Sequence, residues 1–107
     1  MASGKLRHPI TIERLEASRN DYGEEVGSWV PYLKTWAEIK PIKAGEFFSV
    51  RGVEHSVTHR VVTRHIDGVA PKMRILHEGR VFEIKAVRDY FERHAMLEIL
   101  CEELDND

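Results

Sequence analysis

Six histidines are the first residues in this sequence that could do chemistry: His8, His55, His59, His65, His77 and His94. His55 and His59 have the i, i+4 spacing that would place two imidazoles on one face of a helix. The residues between them begin a predicted strand, however, and four residues of strand span roughly 13 Å, too far for one ion. We therefore interpret the histidines as scattered surface or turn residues, and we expect no metal and no cofactor.

Cys101 is the only cysteine, so the chain can form neither an intrachain disulfide nor a Cys-rich zinc site. It lies in an apolar run and is followed by Glu102 and Glu103. Burial and nearby carboxylates both raise the pKa of a thiol, which predicts a core cysteine rather than a nucleophile. The sequence also lacks G-x-S-x-G, P-loop and G-x-G-x-x-G motifs. We expect a protein that is not an enzyme.

Two arginines, Arg60 and Arg64, are the charged residues that we select as candidate contacts. They lie four residues apart on one face of a predicted strand, where they could bind phosphates or the carboxylates of a partner. The alternative is pairing within the chain, with acids such as Glu83 and Glu98. The acidic overall balance, 16 basic against 18 acidic residues, favours a protein partner over nucleic acid.

The length of 107 residues fits one domain with one modest core, drawn from 42% hydrophobic residues. We predict a single domain over 1–107, with flexible ends at 1–7 and 104–107. A net charge of −2 gives no global reason to expect nucleic acid or an anionic membrane. The first residues lack the apolar run of a signal peptide, and no apolar stretch is long enough to span a membrane. We expect a protein made in a reducing cytoplasm, with no membrane partner.

Alternation of apolar and polar residues predicts short strands at 10–16, 28–40, 57–66, 73–76, 81–87 and 95–104. Pro31 suggests an edge or a bend in the second of them. Asn20 to Gly23 and His77 to Arg80 have the composition of tight turns, the latter with Gly79 at positive φ. The last segment could be a helix by composition, but its alternation favours a strand. The fold class is mainly β: a small barrel or sandwich of five to six antiparallel strands.

The segment from Lys43 to Ser56 is the least regular part of the sequence. Phe47 and Phe48 lie between Gly45 and Gly52, and Gly52 would cost a helix interior about 1 kcal/mol relative to alanine. We predict either one short helix or an ordered, projecting loop.

The order of the short motifs resembles the head–tail joining family of tailed bacteriophages, from Gly4 to about Glu102. The runs that carry this resemblance are Gly4 to Ile12, Asp21 to Glu24, Trp36 to Ile39, Gly45-Glu46, Val57 to Val61 with Arg64, Arg74-Ile75, Gly79-Arg80 and Phe82 to Ile84.

The resemblance implies a small β-barrel in a ring around the channel between portal and tail, in the virion and made in the host bacterial cytoplasm. The ring would be a dodecamer on the portal side or a hexamer on the tail side. Its partners would be portal or adaptor proteins and tail-completion proteins, with passive contact to channel DNA. The resemblance also places a docking or lumen element in the irregular segment, at Gly45, Glu46, Phe47, Phe48, Arg51 and Gly52. For the two phenylalanines, a plug on the open end of the barrel is favoured over a lumen contact.

Two functions follow from different readings of the sequence. The first is a non-catalytic structural connector that closes the phage head after DNA packaging and provides the surface for tail attachment, with Arg60 and Arg64 as subunit contacts. The second is a free-standing small barrel that binds peptide or nucleic acid as a monomer. Association with portal and tail proteins distinguishes the first from the second.

Overall fold

The computed structural model describes residues 6–42, 47–50, 53–89 and 95–104, without the side chains of 47–50 and 53–55. These residues form eight strands: β1 (His8–Arg19), β2 (Glu25–Pro41), β3 (Phe47–Val50), β4 (Val53–Ser56), β5 (His59–Arg64), β6 (Arg74–His77), β7 (Arg80–Asp89) and β8 (Met96–Leu104). Within the described ranges there is no helix, and hence none long and apolar enough to cross a membrane.

Six of the strands close into an antiparallel barrel in the order β1-β2-β5-β8-β7-β6, with β6 pairing back onto β1. The barrel prediction is therefore confirmed, as is the strand in the last segment. Closure is completed by β8, which pairs with β5 on one side and β7 on the other. Because successive strand residues point to opposite faces, each barrel strand supplies one set of side chains to the interior and one to the outer surface.

The barrel interior is a continuous apolar core. Its fully buried members include Ile12, Val61, Ile75, Phe82 and Ile99, all at 0% exposure. Cys101 packs among them, also at 0% exposure, as the sequence predicted. Burial raises the pKa of its thiol to about 12, and Glu103 adds to that rise, so the thiolate is absent at neutral pH.

Turns and bulges occur where the sequence places turn residues. Glu78 (φ 50°) and Gly79 (φ 79°) join β6 to β7, and two consecutive positive φ values match the twist of a tight hairpin. Gly23 (φ 79°) lies in the β1–β2 turn. The bend predicted from Pro31 coincides with a bulge: Ile12 pairs with Leu33, but the next residue pairs with Pro31.

The helix alternative for the segment from Lys43 to Ser56 is wrong for the residues that the structure describes. Phe47–Val50 and Val53–Ser56 pair as an antiparallel two-stranded sheet outside the barrel sheet. Aromatic and β-branched residues favour such pairing over a helix. At the ends of the described chain, Leu6 is buried and Leu104 is the last residue of β8. The flexible ends at 1–7 and 104–107 stay a prediction.

The bulge on β2 is tied to the β5–β6 connection by one side chain. Tyr32 Oη donates a hydrogen bond to the Asp67 carbonyl oxygen at 2.7 Å. The phenol lies against Gly68 (φ 88°), where an added Cβ would lie 2.2 Å from Tyr32 Oη. Gly68 is therefore required both for its backbone conformation and for the close approach of Tyr32.

We expect Gly68→Ala to lower the free energy of unfolding by about 2 kcal/mol, since it strains the backbone and displaces the Tyr32 hydrogen bond. Gly79→Ala is the matched control: its φ is also positive, but its Cβ would meet nothing within 4 Å. It should cost about 1 kcal/mol. Urea unfolding of both variants measures the difference, and equal losses would contradict the role given to Tyr32.

Candidate assembly surface

Glu98, on the outer face of β8, connects two arginines from the neighbouring strands. Arg60 of β5 and Arg88 of β7 each donate from Nε to one oxygen of the Glu98 carboxylate. Val62 and Arg88 are the registered neighbours of Glu98 on β5 and β7, so the ion cluster crosses three strands of the barrel. Glu98 is only 6% exposed although it lies on the outer face of the barrel.

Two opposed effects act on the pKa of Glu98. Burial on its own would raise that pKa, but the hydrogen bonds and charges of Arg88 and Arg60 outweigh it and hold the pKa below its ordinary value of 4.5. Glu98 is therefore ionised at neutral pH. At neutral pH, Glu98 therefore forms ion pairs with both Arg60 and Arg88.

Arg60 and Arg64, the predicted contact residues, therefore differ in their surroundings. Both lie on the outer face of β5, but Arg60 is engaged by Glu98, the intrachain pairing that was the alternative. Arg64 ends β5 and is exposed. It forms no ion pair with any residue in the described part of the chain. Of the two, Arg64 has the charge that a partner can reach.

A second ion pair fixes the point where β1 and β2 leave the barrel. Arg74 of β6 donates from Nε to Glu13 Oε1 at 2.7 Å, and its guanidinium lies 4.2 Å from the centroid of the Trp29 ring. Glu13 is 9% exposed although it faces outward. The bidentate preference of arginine and its stacking on aromatic rings both suit this position.

Beyond that point the β1–β2 hairpin projects from the barrel. We call residues 14–28 the arm, all of which are exposed. In the described chain β1 pairs with β6 only at Thr11–Glu13, and β2 pairs with β5 only at Ala37–Pro41, so the arm is a ribbon of two strands. Large apolar side chains are exposed on it: Leu15 (56%), Tyr22 (87%) and Val26 (40%). The sequence predicted the turn but not the length of the ribbon.

At the opposite end of the barrel, Arg80 and Glu103 form a two-pronged ion pair. Arg80 Nε and Nη2 donate to the two carboxylate oxygens of Glu103 at 2.9 and 3.0 Å. Arg80 Nη2 also donates to His59 Nε2 at 3.2 Å, so the His59 proton is on Nδ1, which donates to Thr58 Oγ1 at 2.9 Å. Burial, and after it the charge of Arg80, lower the pKa of His59, while the charge of Glu103 opposes them. Because the pKa is lowered, the imidazole ring is neutral at pH 7.

Three of the histidines that we predicted to be scattered on the surface or in turns come together at this end. His8, His59 and His77 line an open cavity of about 380 Å³ with Arg80. His77 is buried (5% exposed) and bonds the Pro9 carbonyl oxygen through Nδ1 at 2.9 Å. Among the described residues, no group of three or more histidine, cysteine or acidic side chains has the geometry to hold a metal ion.

The predicted docking element falls largely outside the described residues. Gly45, Glu46, Arg51 and Gly52 lie there, whereas Phe47 and Phe48 belong to β3. Its role as a docking or lumen element stays a prediction.

Comparison with known proteins gives a family match over almost the whole chain. The family model described as phage head completion protein matches residues 1–104. No curated protein matches the sequence.

Two solved structures share the fold. The solution structure of protein SF1141 from Shigella flexneri 2a is 27% identical, with a TM-score of 0.73 and coverage of 96% of each chain. A chain in the virion of a native gene transfer agent particle is 22% identical, with a TM-score of 0.63, and covers 92% of this chain and 96% of that one. The second similarity supports the fold alone.

The Glu98 cluster predicts a specific pH dependence of stability. Because the pKa of Glu98 is lowered on folding, its contribution is present above pH 4.5 and is lost as the pH falls through the folded value. At pH 7, Glu98→Gln should lower the free energy of unfolding by about 2 kcal/mol, since it leaves two arginines side by side without a counter-charge.

Denaturant unfolding of both proteins from pH 7 to pH 3 measures this effect, and the gap between them should narrow with acidity. Lys72→Gln serves as control, because Lys72 is exposed, lies in the β5–β6 connection away from the cluster, and forms no ion pair with any described residue. A gap that stays constant across this range would contradict the assigned pairing.

Proposed function

Because the chain belongs to the phage head completion protein family, we propose that it is the connector subunit that forms a ring between portal and tail. In that position it closes the head after DNA packaging and provides the tail attachment surface. It is a structural protein of the bacteriophage virion. The observation that carries the proposal is the family match over residues 1–104, almost the full length.

The barrel supports this proposal through the kind of surface that it offers. A subunit in a closed ring must present two different surfaces, one to each neighbour. This chain has an arm with exposed apolar side chains at one end, and a closed barrel whose outer face also exposes Trp36 and Leu104. Glu98 and Arg80 each form ion pairs with other residues of the same chain. Such pairing is typical of structural groups rather than catalytic ones. We infer a non-catalytic role.

Two contact regions belong to the same proposal. Arg64 is the charged subunit or portal contact on β5, supported by its exposure. The segment 43–56 is the docking or gating element. This role is supported by the separate two-stranded sheet of β3 and β4, which the chain forms after β2 and before β5 and which lies outside the barrel sheet. Arg60 contributes indirectly, because it orders the outer face of β5 through Glu98.

A loading assay tests the proposal. The free protein should sediment mainly as a monomer, since a barrel with its own core folds alone, and it should co-sediment with portal-bearing heads that lack it. The portal supplies the local concentration that a weak subunit interface lacks. Raised salt should reduce loading, because polar interfaces of this kind are screened. A protein that stays monomeric and never associates with portals or tails would instead favour the free-standing module.

The same assay tests Arg64. Arg64→Glu should keep the thermal unfolding midpoint of the unmodified protein but reduce loading about tenfold, the size expected for loss of one interfacial charge pair. Lys72→Glu is the matched control, since Lys72 is an exposed cation in the β5–β6 connection. Unchanged loading of Arg64→Glu would remove Arg64 from the interface. Loss of folding would show an intrachain role instead.

A further inference from the structure

One face of the arm is an apolar stripe. The registered pairs Leu15–Trp29 and Ala17–Gly27 lie on the same face as the outward-pointing Glu13. Leu15 lies across Gly27, where an added Cβ would meet Leu15 Cδ1 at 2.9 Å. The result is a flat surface, with Leu15 at 56% exposure and with no third strand or loop of the described chain on top of it.

The arm is also long and firmly based. Its six registered pairs, from Arg14–Val30 to Arg19–Glu25, extend about 20 Å at the usual rise of a strand. The described molecule accordingly measures 50 × 29 × 29 Å. Arg74 fixes the base of the arm through Glu13 and Trp29, so the arm projects in a defined direction. An arm of this length reaches well beyond its own barrel and can cover most of the width of a second one.

The barrel has a complementary apolar surface on its outside, which we call the wall. Its members form one row of registered neighbours across four strands, with Trp36 diagonal to it: Thr11, Leu76, Val81, Leu104 and Trp36. Trp36 is 56% exposed and Leu104 39% exposed, whereas Leu76 and Val81 are half-buried. Trp36 is of the residue type that most often anchors protein interfaces.

The arm and the wall lie toward opposite ends of the barrel. The arm leaves where β1 ends, whereas Leu76 and Val81 flank the β6–β7 turn, whose His77–Arg80 pair lies beside the start of β1. A molecule with complementary surfaces at its two ends associates head to tail, and such a heterologous contact closes into a ring when the rotation permits. A contact between the arms of two copies would instead give a dimer, and no further copy could be added through the same surface.

The charges of the two surfaces are complementary as well. The tip of the arm holds three exposed acids, Asp21, Glu24 and Glu25, against one base, Arg19, whose guanidinium is bonded to the Gly23 carbonyl oxygen. Near Trp36, where the tip of the arm would lie, the wall is bordered by two exposed cations, Lys34 and Arg7. On the β7–β8 side its bordering acids Glu83 and Glu102 are both paired with Lys85, and Glu78 in the β6–β7 turn is an exposed acid. Opposite charges at the rim of an apolar contact steer the partners into one register.

We propose that the arm of one copy packs on the wall of the next copy, with the apolar stripe on the row Leu76–Val81–Leu104 and Tyr22 near Trp36. This inference rests on the proposed ring and names the contact that forms it. The exposed side chains of Leu15 and Tyr22 become buried only in the assembly. The contact is heterologous, so every subunit gives one arm and receives one.

A photocrosslinking experiment on loaded heads tests the contact. Tyr22 is replaced by benzoylphenylalanine, a ring of related shape at a position that is 87% exposed. Isotope-labelled and unlabelled protein are mixed, loaded onto portal-bearing heads and irradiated. Mass spectrometry should find peptides of β1, β2, β6, β7 or β8 from the wall joined to the arm of a different copy, in chains of more than two subunits. The same probe at Glu24 should give the same peptides.

Two controls make the result specific. The probe at Lys72, in the β5–β6 connection, should not label the wall peptides. Leu104→Ser should reduce the crosslink from Tyr22 about tenfold, as expected for loss of one apolar anchor. Crosslinks only to a portal or tail protein, only to the arm of another copy, or to nothing, in protein that has loaded, overturn this inference and leave the connector function intact. Failure of the unmodified protein to load overturns the proposed function and this contact with it.

Discussion

Closure of the barrel by β8 is the constraint on which the other features depend. With β8 between β5 and β7, all six barrel strands have a partner on both sides, so the barrel presents no open edge along its paired length. Closure also fixes which side chains face inward, because a slip of one residue would exchange the two faces. Ile99 and Cys101 thus enter the core, and Glu98 is forced outward between Arg60 and Arg88. The ion cluster is a consequence of the register and also stabilises it.

Because the barrel is closed, its residues can fold around their own core, whereas the arm has no core. The barrel has a buried apolar core and ion pairs of its own, which allows the subunit to fold before it assembles. The arm has no such core: Leu15 and Tyr22 are exposed, and its strands pair only with each other in the described chain. If the protein folds alone and then assembles on the portal, the barrel provides its stability and the arm provides a surface for contact. The core that stabilises the subunit is thereby separate from the surfaces that we propose for assembly, which are the arm and the outer face of the barrel.

Local signals in the sequence were sufficient for the barrel but not for its surface. Alternation predicted the strands, and Gly79 predicted the β6–β7 turn, because both depend on residues next to each other. The Arg60–Glu98 pair joins residues 38 positions apart, and the Arg74–Glu13 pair joins residues 61 apart. Such partners depend on register between distant strands, which composition cannot supply. The gathering of His8, His59 and His77 at one end was missed for the same reason, and the helix alternative for 43–56 failed because two glycines and two phenylalanines suit a short hairpin equally well.

The role that we propose for this barrel is that of a ring-forming connector between portal and tail. Cryo-electron microscopy of portal-bearing particles, prepared with and without the protein, tests it most directly. We expect additional density beneath the portal only when the protein is present, arranged as a closed ring into which separate copies of the six-stranded barrel can be fitted. Density at another site on the head, or isolated single copies with no contact between neighbours, would contradict it.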